Sequence, residues 1–118
     1  MGLMADDMIA RLEALLAKGD AAALRLALAS RYLDAGDAAA AVLHAETAVR
    51  LDPEYSAAWK ALGRALTAAG RAADALNAYE RGAKVAERRG DLQAAKEMRV
   101  FSKRLQRDAA KPEDDNAP

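Results

Sequence analysis

The side chains able to do nucleophilic or acid–base chemistry in this 118-residue chain are few and far apart. There is one histidine, His44, and no cysteine, which excludes thiolate chemistry, disulfides and cysteine-ligated zinc. A nucleophile needs a base within hydrogen-bond reach, and that base needs a group to orient it. Ser30, Ser56 and Ser102 each fall in a different helical stretch, and Ser56 stands where a helix cap would. His44 lies among Ala41, Leu43, Ala45, Ala48 and Leu51 and reads as a solvated side chain on a helix. The paired acids Asp6–Asp7 and Asp114–Asp115 diverge from one another and enclose no pocket. The chain is expected not to be an enzyme and to need neither metal nor cofactor.

Charge is the next property that could do work. The 18 basic and 18 acidic residues cancel, but unevenly along the chain. Residues 1–59 carry five basic and nine acidic side chains, whereas residues 81–111 carry ten basic and four acidic. The stretch from Arg88 to Arg107 has the look of a helix-turn-helix with a basic second helix. Asp91, Glu97 and Asp108 break up its charge, so a solvated end helix is expected and a nucleic-acid partner is not. The most apolar run, Ala21 to Ala29, contains Arg25 and is too short to span a bilayer. The opening residues carry acids where a secretory signal needs bases, so a cytoplasmic protein without a membrane partner is expected.

Such side chains must be carried by helices. Alanine is more than a quarter of the residues, leucine dominates the larger apolar ones, and β-branched residues are scarce. Gly19, Gly36, Gly70 and Gly90 separate stretches of helical periodicity, and an Asp follows three of them at Asp20, Asp37 and Asp91. Met8, Leu12, Leu15 and Leu16 predict a first helix over 6–18. Leu92, Ala95, Met98, Phe101 and Leu105 predict a last helix over 91–107, followed by a disordered tail over 109–118. The fold class is all-α, with about six helices in a single domain over 1–108.

The interval from Gly36 to Gly70 is 34 residues, and one such shift brings the chain into register with itself. Over 56–89 it reads Trp59-x-x-Leu62-Gly63-x-x-Leu66, then Ala75-x-x-x-Tyr79. Over 22–55 it reads Arg25-x-x-Leu28-Ala29-x-x-Tyr32, then Ala41, Ala48 and the closing Leu51-Asp52-Pro53. This pattern resembles the tetratricopeptide repeat, with small residues where paired helices approach closely. Gly82 departs from it, and Glu87 stands where a proline would close the unit, so the helix from Arg71 is expected to run on to Arg89.

The resemblance implies an alpha-alpha superhelix of antiparallel hairpins whose first helices line a concave groove, working as an adaptor or scaffold. It implies groove positions at Leu26, Ser30 and Leu33 in the first repeat and at Lys60, Arg64 and Thr67 in the second. The last helix, standing where a third first-helix would, is expected to add Lys96, Arg99 and Lys103. The expected partner is another protein, through a peptide or acidic segment, and Lys60 with Arg64 resembles part of the clamp some family members close on a carboxylate. Two repeats are fewer than usual, which leaves a second expectation: weak pairing of two copies through an open end, at Met98 and Phe101 or at Leu3 and Met4.

Overall fold

The structure, a computed structural model, describes residues 3–111, with side chains described from residue 7 onward. Six helices fill the described residues without a strand: α1 Leu3–Lys18, α2 Ala22–Asp34, α3 Ala38–Leu51, α4 Ser56–Ala68, α5 Ala72–Arg88 and α6 Leu92–Ala110. The expected all-α superhelix is the observed one. Its last helix is longer than expected: Ala109 and Ala110 extend α6, and Lys111, held extended by the proline after it, ends it. The rest of the expected tail, residues 112–118, lies outside the described residues, as do the side chains of Leu3, Met4 and Asp6.

Local chemistry sets the turns. Gly36, Gly70 and Gly90 have φ of 83°, 77° and 77°, the left-handed conformation that ends a helix without Cβ strain. In each case the next N–H returns to a carbonyl five residues back, at 2.9 Å from Asp37 to Tyr32, 2.9 Å from Arg71 to Leu66 and 2.8 Å from Asp91 to Ala86. Asp37 and Asp91 then cap α3 and α6, accepting from the backbone of Ala40 at 3.1 Å and of Ala94 at 3.3 Å. Asp20 does not cap α2; its carboxylate is taken by Arg25. Nor does Ser56 cap α4, because it is the first helical residue, and its buried hydroxyl donates to Asp91 at 3.2 Å.

Each helix packs on the next in sequence, and α2 touches α4 as α4 touches α6, so α2, α4 and α6 form one layer and the odd-numbered helices the other. Close approach depends on two glycines. A Cβ on Gly63 would lie 2.3 Å from the Tyr79 ring, and one on Gly82 would lie 2.5 Å from Cβ of Trp59 and 2.6 Å from Sδ of Met98. The apparent departure at Gly82 is therefore the point where α5 passes between α4 and α6. Met98, wedged there, is 0% exposed.

Candidate functional site

The inner layer holds a hollow of about 490 Å³ between α2, α4, α5 and α6. Leu33, Ala68, Phe101 and Leu105 give it apolar walls, the buried Tyr79 forms its floor, and Arg64, Thr67, Arg104 and Asp108 edge it. Among the described residues neither Arg64 nor Arg104 has an ion-pair partner. Burial pushes the Tyr79 phenol above its ordinary pKa, while Thr67, Arg64 and Arg104 pull it back. Two unpaired guanidinium groups over an aromatic and aliphatic floor suit a ligand that carries both a carboxylate and an apolar group.

Three of the expected groove residues, Leu33, Arg64 and Thr67, line this hollow. Leu26 is half-buried and Ser30 exposed on α2, in the turns before Leu33 and outside the lining. Lys60 reaches across to α6, but its charge is met there by Glu97. The bond from Lys60, and a second from Gln93 at 3.2 Å, hold the Glu97 carboxyl below its ordinary pKa.

Lys96, Arg99 and Lys103 do not edge the hollow, and the reason is a register shift. α5 has 17 residues where α3 has 14, so the step from α4 to α6 is 37 residues rather than 34. Under that step Arg64, Thr67 and Ala68 correspond to Phe101, Arg104 and Leu105, the residues that line the hollow together. Buried Ala58 and Ala65 correspond likewise to buried Ala95 and Ser102. Lys96, Arg99 and Lys103 take the places of Trp59, Leu62 and Leu66, on the face that α5 covers in α4 and that nothing covers in α6. Arg99 accordingly pairs with Glu87 of α5, away from the hollow. Phe101, Arg104 and Leu105 are the groove residues that the uniform 34-residue step misses. The long interval from Gly70 to Gly90 is the signal that could have found them.

A second constellation is polar and lies at the other end. His44 is not solvated; its side chain is 13% exposed. It stacks on Tyr32 with centroids 5.3 Å apart and planes 7° from parallel. Arg25 donates to its Nδ1 at 3.0 Å and to Asp20 at 2.8 Å, and Nε2 lies 3.3 Å from Glu13, which also accepts from the Tyr32 hydroxyl at 3.0 Å. Accepting at Nδ1 and donating at Nε2 is the pattern of a neutral imidazole. Burial lowers the His44 pKa, with Arg25 adding to that and Glu13 opposing it. These side chains fasten α1 to α2 and α3, and they enclose no opening for a substrate.

Stacked antiparallel hairpins with a concave inner layer define the class of helical-repeat scaffolds. The family model described as bacterial transcriptional activator domain matches residues 3–106. Over 101 residues the chain is 52% identical to the TPR repeat-containing protein PA0015 of Pseudomonas aeruginosa, a match covering 85% of this chain and 96% of that one. It is also 43% identical to protein BPP2914 from Bordetella parapertussis, whose solution structure covers 87% of this chain and 90% of its own with a TM-score of 0.75. The chain belongs to the tetratricopeptide-repeat family, within the group described as bacterial transcriptional activator domain.

Proposed function

We propose that the protein is an interaction module whose inner groove holds an extended segment of a partner protein carrying an acidic residue beside an apolar one. The observation that carries this reading is the pair Arg64 and Arg104, set without counter-ions at the edge of an apolar hollow. Magnitudes show why both features are needed. A hydrogen bond to a charged group contributes about 1.5–3 kcal/mol, and less when exposed. Micromolar binding requires roughly 8 kcal/mol, so two arginines alone fall short. Covering ~150 Å² of apolar surface adds about 4 kcal/mol, and Leu33, Phe101 and Leu105 offer such surface. Lys60, paired with Glu97, holds α4 and α6 in position in this reading rather than receiving the ligand.

The alternative, self-association through an open end, is the weaker reading. Met98 is fully buried, Phe101 faces the groove, and the outer face of α6 carries charges of one sign that repel in a symmetric pair. Among the described residues no helix is long and apolar enough to cross a membrane.

The test is affinity capture of partners with wild-type protein and with Arg64→Glu plus Arg104→Glu, followed by nuclear magnetic resonance mapping of the recovered segment. The double variant is expected to lose the partner with little change in melting temperature, because both arginines are exposed. Capture that survives the double variant, or shifts that map outside α2, α4 and α6, overturns the groove.

A further inference from the structure

The outer face of α6 is the one surface in the fold that the repeat pattern leaves uncovered. On α4 the corresponding face carries Trp59, Leu62 and Leu66, buried beneath α5. On α6 it carries Lys96, Arg99, Lys103 and Arg107, spaced three or four residues apart and so aligned in one stripe about 16 Å long. Exposed Leu92 and Val100 lie on the same stripe, at 68% and 48% exposure. Beside it, between α5 and α6, is a hollow of about 350 Å³ lined in part by Ala83, Lys84, Ser102 and Gln106. The Ser102 hydroxyl is buried there without a hydrogen-bond partner.

A solvated end helix needs polarity but not charge of a single sign. α1, at the opposite end, shows the difference, since Asp7 and Arg11 pair with each other at 3.2 Å on its exposed side. α6 turns its acids elsewhere: Glu97 to Lys60, Asp108 to the groove and Asp91 to its own N-terminus. What is left is a row of like charges in which each neighbouring pair weakens the isolated helix. Solubility does not ask for that arrangement, and an anionic partner does.

We infer that this face receives an amphipathic acidic helix of a partner protein, docked where a seventh helix of the repeat would lie. Glutamates or aspartates spaced three or four apart would meet Lys96, Arg99 and Lys103, and a small apolar stripe beside them would cover Leu92 and Val100. The fit is to a helix because the surface repeats the place α5 takes on α4. A second copy is unsuited to it, since the same cations would face each other. The site is separate from the groove and does not depend on the groove's reading.

The test uses the whole protein and a side-chain-stapled helical peptide about as long as α3, some 14 residues, with glutamates at every third or fourth position and leucines alongside. A scrambled peptide of equal composition and a short DNA duplex serve as comparators. The helix is expected to shift backbone amides of Lys96, Arg99, Val100 and Lys103. It is expected to bind at least about tenfold more tightly than its scramble, and to lose about tenfold or more on Lys96→Glu with Lys103→Glu. Lys96→Ala with Lys103→Ala, which leaves no repulsion, should show a smaller loss at unchanged circular dichroism. Arg64→Glu with Arg104→Glu should leave this binding intact. Equal binding of the scramble, tighter binding of the duplex to the same residues, or concentration-dependent dimerisation that buries them would each overturn the proposal.

Discussion

The two repeats place the same backbone positions in opposite chemistry. Arg25 and Trp59 are 34 residues apart, as are Tyr32 and Leu66, and His44 and Ala78. In the second repeat these positions are apolar. Trp59 is 6% exposed, donates from its indole nitrogen to the Pro53 carbonyl at 2.8 Å, and carries the Arg81 guanidinium 4.7 Å above its ring. In the first repeat they form a polar network that runs from Asp20 through Arg25 and His44 to Glu13 and Tyr32. One backbone register thus supports either solution. The apolar core is non-directional and contributes in proportion to area buried. The polar one depends on angles and protonation, and each member left without its partner carries a desolvation cost.

The largest expected effect tests that contrast directly. Trp59→Ala removes an indole from a packed core and is expected to cost about 3–5 kcal/mol. Arg25→Ala leaves His44 Nδ1 without its donor beside a partly exposed Asp20 and is expected to cost about 1–3 kcal/mol. Urea denaturation of both variants reads the difference, within a total of roughly 6–18 kcal/mol for a chain of this size. A costlier Arg25→Ala would mean that the polar network, not the second core, dominates the fold.

A smaller effect concerns the approach of α4, α5 and α6. Gly82→Ala improves helix propensity by about 1 kcal/mol, yet its methyl would meet Trp59 Cβ, which cannot swing away. Overpacking costs about 1–3 kcal/mol, so net destabilisation is expected, and more for Gly82→Leu. At Gly63 the obstacle is the Tyr79 ring, a longer side chain with more freedom to shift. Gly63→Ala should therefore be milder. Ala110→Leu, at the exposed end of α6, should change the melting temperature little. Equal losses at Gly82 and Ala110 would contradict the close approach.

Much of the fold was legible because it is written in short-range signals: glycines at helix ends, acids behind them, and leucine and alanine at helical spacing. The groove was only partly legible. Leu33, Arg64 and Thr67 follow from the 34-residue period, but Phe101, Arg104 and Leu105 depend on the length of α5. Three extra residues rotate α6 by most of a turn and exchange its faces. The missing closing proline at Glu87 announced the longer helix, and its consequence for α6 appears only when the 34-residue step is given up. The His44 network was not legible, since Glu13, Asp20, Arg25, Tyr32 and His44 are brought together by packing across three helices. Each of them alone reads as an ordinary surface residue.

The smallest expected effect is the pH response of that network. His44 faces Glu13 of α1, Asp20 in the turn that follows, and Arg25 and Tyr32 of α2. Its pKa is lowered in the folded protein, chiefly by burial. In the unfolded chain it returns to an ordinary value of about 6.5. Above that pH both states hold a neutral ring and His44 makes no pH-dependent contribution. As pH falls through about 6.5 the unfolded chain takes up a proton that the folded one resists, so stability falls, by at most about 1.4 kcal/mol per pH unit for one proton. Denaturant midpoints measured from about pH 7.5 to 5.5 should decline, and His44→Gln should remove most of that decline because no other group in the network titrates in the interval. Glu13→Gln should steepen it, since the carboxylate is the strongest influence favouring the protonated ring. Hydrogen exchange should accelerate first in α1 to α3 and leave α4 to α6 protected. Acceleration spread evenly over all six helices would place the pH response outside the first repeat.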